Sequence, residues 1–248
     1  RERYGYRMIG KEKLNRFYEE NSTFRELFQA IEKDHLSSLS KISHEIRNPV
    51  TLINSFLQMI AAEHPEICTY RYWDDIIENM AFLRELLTDL SDYNNARNLH
   101  KAETNPYRLL SSIVESVRPS LRGQHIDIQL NKESAVPSFF MDSTKIREIL
   151  LNLIRNAAEA MPDGGKITCS ISTDGERLFI QILDNGPGIP EEYLPTIFDT
   201  FVTHKKDGTG LGLSIARTIA EAHGGTLSIF TSLGEGTEFT LALPIVYA

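Results

Sequence analysis

Two cysteines are all that the 248 residues offer to disulfide or thiolate chemistry, and Cys68 and Cys169 lie far apart in the chain. With no CxxC pair and no Cys/His ligand spacing, they form neither a zinc knuckle nor a disulfide framework. A reducing, cytosolic setting suits such a chain. Positive charge is also in deficit, with 26 Lys+Arg against 34 Asp+Glu and a net charge of −8, which argues against a general nucleic-acid binder. No apolar run approaches the ~18–20 residues of a bilayer span, so no membrane insertion by this fragment is expected. Internal repeats and low-complexity tracts are absent too. What is present, 41% hydrophobic and 24% charged residues, is the composition of a globular protein of one or two domains. Residues 1–16 are rich in Arg and Lys, which would suit a segment just cytoplasmic of a membrane helix or a solvated helix start.

The first ordered pattern is helical. Leu39, Ile42, Ile46, Ile53, Phe56 and Ile60 follow a 3,4-spaced seam within 24–62, and Pro49 occupies the one missing seam position, where a kink is expected. After a connection over 61–67, a second seam runs Trp73, Ile76, Met80, Leu83, Leu87 and Leu90 at spacings 3, 4, 3, 4, 3. The two helices predict a helical hairpin. Each has a single apolar stripe, and two hairpins joined as a dimeric four-helix bundle bury both stripes better than one pair can, so a homodimer is expected.

Polar residues 92–98 and Asn105-Pro106 mark a boundary. Beyond it the pattern predicts helices over 106–123, 143–161 and 214–222, and strands over 127–130, 166–172, 177–183, 226–230 and 238–244. That mixture describes an α+β or α/β sandwich with helices on one sheet face. The expected organisation is a signalling helix or linker over 1–35, a helical domain over 36–103 and an α/β domain over 104–248.

Two constellations carry chemistry. On the first seam, Ser43-His44-Glu45-Ile46-Arg47-Asn48-Pro49 places His44 away from the bundle core. An exposed imidazole is largely uncharged and nucleophilic at neutral pH. Glu45 beside it can accept a proton from one ring nitrogen while the other attacks. Asn48, four residues on, shares its side of the helix and could position a water. The second constellation is a series of glycine boxes: Asp184-Asn185-Gly186-Pro187-Gly188, Gly208-Thr209-Gly210-Leu211-Gly212 and Gly234-Glu235-Gly236-Thr237. Glycines let backbone amides approach phosphate oxygens, and the second box leads into a helix whose N-terminus favours anions. A carboxylate such as Asp184 at a strand end can accept from an exocyclic amine. Upstream, Asn152 and Asn156 share a helix face. None of the boxes is a P-loop or a Rossmann fingerprint.

The His44 block resembles the phosphoacceptor box of sensor histidine kinases. The order of Asn156, the 184–188 box, Ile197-Phe198-Asp199-Thr200-Phe201 and the 208–212 and 234–237 boxes resembles the Bergerat-type ATP-binding fold, which those kinases share with topoisomerase, mismatch-repair and chaperone ATPases. The likeness covers roughly 36–248, and Lys205 before the glycine box matches a sporulation-kinase-like or nitrogen-sensor-like subgroup. It implies ATP and Mg²⁺ as cofactors, with Asn156 holding Mg²⁺ and Asn152 supporting it. It further implies that Asp184 reads the adenine amine, that Gly186 and Gly188 shape the adenine side, and that Lys205 meets a phosphate. Gly208, Thr209, Gly210, Leu211 and Gly212 would form the phosphate-side loop that lets a lid over 195–206 close, and the last box a structural turn. His44 would be autophosphorylated with help from Glu45, and the phosphoryl group passed to an aspartate of a response regulator receiver domain. Asn48 would support dephosphorylation of that partner.

His204, where the subgroup often has threonine, and Glu148, where glutamine is common, depart from the pattern. The related ATPases carry a glutamate four residues before the Mg-binding asparagine to activate water, and here that position is Asn152. An amide is no general base, so transfer to an imidazole is favoured over hydrolysis. Two rivals stand beside the kinase: a catalytically inactive phosphotransfer or docking scaffold, and a hydrolytic ATPase.

Overall fold

The computed structural model describes residues 22–132, 136–205 and 208–247, with side chains from Lys41 onward. Most of the expected 1–35 segment, the seam residue Leu39 as a side chain, and lid residue Lys206 lie outside those described. Helix α1, Ser22–Glu63, runs without interruption through Pro49, although that proline cannot donate to the carbonyl of Glu45. A 3-10 turn, Pro65–Thr69, reverses the chain, and the buried Trp73 opens α2, Trp73–Asn95.

The second helix closes the hairpin with its expected seam, of which Trp73 and Leu87 are buried, whereas the first helix meets it along a different stripe from the expected one. Ser43 and Val50, seven residues apart, are buried against α2, where Leu87 is their buried counterpart. Arg47 reaches across and donates to the Leu87 carbonyl at 2.9 Å. Ile42, Ile46, Ile53, Phe56 and Ile60 are exposed, as are Ile76 and Phe82 of α2. Each helix is apolar over more than one stripe. On α1 the narrow stripe closes the hairpin, and the wider 3,4-spaced seam faces away from it.

The chain then forms β1 (Ala102–Thr104), α3 (Pro106–Gly123), β2 (Ile126–Lys132), β3 (Phe139–Met141), α4 (Ser143–Glu159), β4 (Gly165–Thr173), β5 (Arg177–Asp184), a 3-10 turn (Glu191–Thr196), α5 (Gly212–Ala222), β6 (Thr226–Ser232) and β7 (Gly236–Pro244). Five strands make one sheet in the order β2-β4-β5-β7-β6, with β2 and β4 parallel and the other pairs antiparallel. A parallel pair needs a crossover, and α4 supplies it. Strands β1 and β3 pair as a separate two-stranded sheet.

Alternate residues of β4, β5 and β7 (Ile167, Cys169, Ile171; Leu178, Ile180, Ile182; Phe239, Leu241, Leu243) are buried with Ile146, Ile149, Leu150 and Leu153 of α4 and with Ile215 and Ile219 of α5. Each such side chain contributes about 1.5–3 kcal/mol on burial. Burial also pushes the Cys169 thiol up to about 12, which makes it packing material rather than a nucleophile. Asp142 caps α4 by accepting from the Thr144 and Lys145 amides, both at 3.0 Å. The crossover helix is thereby held between the sheet and the glycine-bearing loops, and it presents Asn152 and Asn156 to them.

Candidate active site

A cavity of about 700 Å³ opens where α4, the end of β5, the 3-10 turn and the start of α5 converge. Among the residues singled out by sequence, Asn156, Asp184, Gly188, Lys205, Gly208, Thr209, Gly210 and Gly212 line it. Asn152, Gly186 and Leu211 do not.

Asp184 ends β5, paired in register with Thr237 of β7. It is buried, and its Oδ1 accepts the Gly186 N–H at 2.9 Å. Burial raises its pKa above the ordinary carboxylate range, against the lowering effect of the Gly186 and Thr237 amides. Gly188 has φ +73°, and a Cβ there would stand 2.2 Å from the Ser232 carbonyl oxygen, so only glycine lets the loop lie against the β6–β7 turn. That turn is bound to the loop by Gly234 N–H donating to Pro187 O at 2.8 Å and Ile189 N–H donating to Thr231 Oγ1 at 3.0 Å.

Also lining the cavity, the Lys205 ammonium donates to Asn156 Oδ1 at 2.9 Å and to the Glu159 carboxylate. Asn156 thus already faces the cavity with an oxygen that accepts from a cation. Behind it, Asn152 Nδ2 donates to Gly212 O at 3.4 Å and Asn152 Oδ1 accepts from Arg155 at 2.8 Å, tying α4 to the start of α5. Gly210 has φ +69° and packs on the backbone of Phe201 and Val202. The Leu211 side chain is fully buried in the core, so this residue anchors the loop instead of facing the cavity. His204 stacks on Tyr193 with ring centroids 3.5 Å apart. Glu148 is paired with Lys145 at 2.8 Å, and burial raises its pKa.

His44, Glu45 and Asn48 are all exposed on α1. They are not among the residues lining the cavity. The hairpin nevertheless reaches the cavity through α2: Glu85 lines it and accepts from Arg155 at 3.1 Å, while Asp89 accepts the Thr209 hydroxyl at 2.5 Å.

Residues 141–246 match the family described as the histidine kinase-, DNA gyrase B- and HSP90-like ATPases. Sporulation kinase D of Bacillus subtilis is 31% identical over 82% of this chain, and this chain spans 40% of that relative. The solved catalytic domain of the histidine kinase ThkA is 31% identical, with 99% of that chain covered by 59% of this one at a TM-score of 0.55. The chain belongs to the histidine kinases. Full-length ShkA, solved in complex with AMPPNP, aligns at a TM-score of 0.73 with 27% identity over 86% of this chain and 46% of its own. ThkA in complex with the response regulator protein TrrA aligns at 0.63 with 28% identity over 92% of this chain and 66% of that one.

Several residues of this histidine kinase that line the cavity escaped sequence reasoning. Glu85 could not be placed there because it comes from the hairpin. Tyr193 and Phe239 carry no motif of their own, and Thr237, the last residue of the third glycine box, reads in sequence only as part of a turn. Glu159, three residues after Asn156, and Arg155, three after Asn152, carried a signal, since a helix brings residues three apart to one face. Among the described residues no group of three His, Cys, Asp or Glu side chains is placed to hold a metal ion. No described helix is long and apolar enough to cross a membrane.

Proposed function

We propose that this chain is the catalytic region of a homodimeric sensor histidine kinase. It binds ATP in the 700 Å³ cavity, phosphorylates His44 and passes the phosphoryl group to an aspartate of a response regulator. The observation that carries the reading is that Asp184 and Asn156 line one cavity together with the glycine loop, in a chain whose hairpin exposes His44 beside Glu45. Asp184 offers a buried acceptor to an exocyclic amine. The glycine loop and the first turn of α5 offer N–H groups to phosphate oxygens.

Mg²⁺ fits the same cavity. Asn156 Oδ1 accepts from an ammonium in this structure, and one protein oxygen together with phosphate oxygens and water is the usual Mg²⁺ environment. Bound there, the ion would neutralise charge on the phosphates. The residues of the chain supply the rest. The imidazole of His44 attacks the γ-phosphorus, a P–N bond forms as the bond to the bridging oxygen of ADP breaks, and Glu45 takes the ring proton. Transfer to the regulator then breaks the P–N bond in favour of an aspartyl P–O bond. ThkA, a relative captured with its response regulator, supports this partner class. Asn48, on the same exposed side as His44, would orient the water that dephosphorylates the regulator.

The outward seam of Ile42, Ile46, Ile53, Phe56 and Ile60 supports a second copy as its cover. On this reading the hairpin over 36–103 is the dimerisation and phosphotransfer domain, 104–248 is the ATP-binding domain, and both act in the cytoplasm. Incubation with γ-labelled ATP and Mg²⁺ tests the proposal. Acid-labile label on the wild type that is absent from His44→Gln supports it. Bound nucleotide without label favours the scaffold, and free phosphate released equally by both proteins favours an ATPase.

A further inference from the structure

The Lys205 ammonium is shared by two oxygens from one helix face. It donates to Asn156 Oδ1 at 2.9 Å and to the carboxylate of Glu159, three residues further along α4. All three side chains line the cavity. Glu159 has a second cation nearby, Arg155 at 4.0 Å, and Arg155 is itself held by Glu85 at 3.1 Å and by Asn152 at 2.8 Å. The carboxylate is therefore oriented by the helix and by a fixed guanidinium, while Lys205 comes from the loop before the glycine box.

We propose that Glu159 is a positioning residue for the ATP reaction: it parks Lys205 on Asn156 while the cavity holds no γ-phosphate, and yields it to that phosphate when ATP enters. The proposal rests on the ATP-binding reading. An ammonium at Asn156 Oδ1 and a divalent cation brought by the nucleotide compete for one oxygen. A parked Lys205 is also unavailable to a terminal phosphate. The parked and ATP-bound arrangements thus exclude one another, and only a ligand that interacts differently with the two can shift the balance. ADP leaves Lys205 free to stay on Glu159, whereas ATP offers it a competing dianion.

The latch has the right strength for release. The Lys205 and Glu159 side chains are 45% and 46% exposed, so solvent screens their attraction. Such a pair biases an equilibrium by only about two- to five-fold. A buried pair would hold the lysine against the phosphate.

Titration of the full chain with ATP and ADP, each with Mg²⁺, tests this. In Glu159→Gln the preference for ATP over ADP should rise by roughly two- to five-fold, the bias of an exposed pair. The same substitution in a Lys205→Met background should leave the preference where Lys205→Met alone puts it, below the wild type. An equal rise in both backgrounds would mean that Glu159 acts only through its own charge and would overturn the proposal, as would no change in either. Amide exchange of 203–205 in nucleotide-free protein reads the parking without ATP. It should quicken in Glu159→Gln, and unchanged exchange also overturns the latch. A wild type that binds neither nucleotide would instead defeat the ATP reading, leaving the exchange experiment to judge the parked state.

Discussion

The Thr209 hydroxyl donates to the Asp89 carboxylate across 2.5 Å, joining the glycine-rich loop to the second helix of the hairpin. One helical turn earlier, Glu85 holds Arg155, the neighbour of Asn156. Two acids on one face of α2 therefore grip the nucleotide cavity at two points, in a pose where His44 does not line it. Phosphoryl transfer to His44 requires the ATP-binding unit to leave this pose or to meet the histidine of a second copy.

Removing the Thr209 contact should loosen the pose. Thr209→Val is expected to cost about 1.5 kcal/mol of docking, the low end for a hydrogen bond to a charged group. Amide exchange over 208–212 should quicken while that of β5 stays unchanged. A loop exchanging at the wild-type rate would show that Asp89 does not hold it.

Asp184 should trade stability for binding. Its folded pKa is raised by burial, so the folded chain holds this proton more tightly than the unfolded chain, and stability falls as pH rises from the ordinary carboxylate range through the raised value. At neutral pH the ionised group is a cost to folding. Asp184→Asn should match or exceed the wild-type Tm while losing nucleotide binding. In the wild type, binding should fail on acidification at a pH above that at which an ordinary aspartate titrates. A marked loss of Tm in the variant would contradict this account.

A second titration has the opposite sign. His223 is buried at the end of α5; its Nε2 accepts the Asp142 N–H at 3.1 Å and its Nδ1 lies 2.9 Å from the Ile219 carbonyl, the pattern of a neutral ring. Burial lowers its pKa, the Ile219 carbonyl opposes, Lys101 adds to the lowering, and Asp142 works against it. As pH falls through the ordinary histidine value of about 6.5, the unfolded chain takes up a proton that the folded chain refuses, so stability is lost with acidification down to the lowered value. Denaturant titrations of wild type and His223→Gln across this window should show the slope in the former and a reduced slope in the latter.

Gly210→Ala places a Cβ 2.6 Å from the Phe201 carbonyl carbon at φ +69°. The loop must shift, at a cost of about 1–2 kcal/mol for a left-handed non-glycine residue. Nucleotide affinity should drop several-fold with little change in Tm, because the strain falls on a surface loop rather than the core. Wild-type affinity would mean that the loop rearranges freely around this residue.

Much of the second domain was legible because its signals are local. The 143–161 helix and the strands near 166–172, 177–183, 226–230 and 238–244 announce themselves by period alone, and the structure places an element at each, within a few residues. Strands β1 and β3 did not, because three-residue strands exist only through each other, Ala102 pairing with Met141 although a helix and a strand separate them in the chain. The hairpin was legible as two helices and in the buried face of the second, Trp73 and Leu87, but not in the facing of the first. Ser43 at the closed interface is small and polar, invisible to a search for apolar residues, while the isoleucine seam it displaces looks outward. Of the cavity, the glycine boxes, Asp184 and Asn156 stood out by residue type and order. Glu85 and the role of Glu159 arise from contacts between elements distant in the chain, which no spacing rule encodes.

Two hydrogen bonds, Gly234 N–H to Pro187 O and Ile189 N–H to Thr231 Oγ1, fasten the loop after Asp184 to β6 and the turn that follows it. The Asp184 side of the cavity is thereby tied to core strands, so a ligand that binds there orders little that was free. The glycine-loop side is held by side-chain contacts at Lys205 and Thr209, which on the proposed reading the phosphates of a nucleotide would rearrange. Adenine nucleotides should therefore share nearly the same contribution from the base and differ in affinity through the length of the phosphate chain.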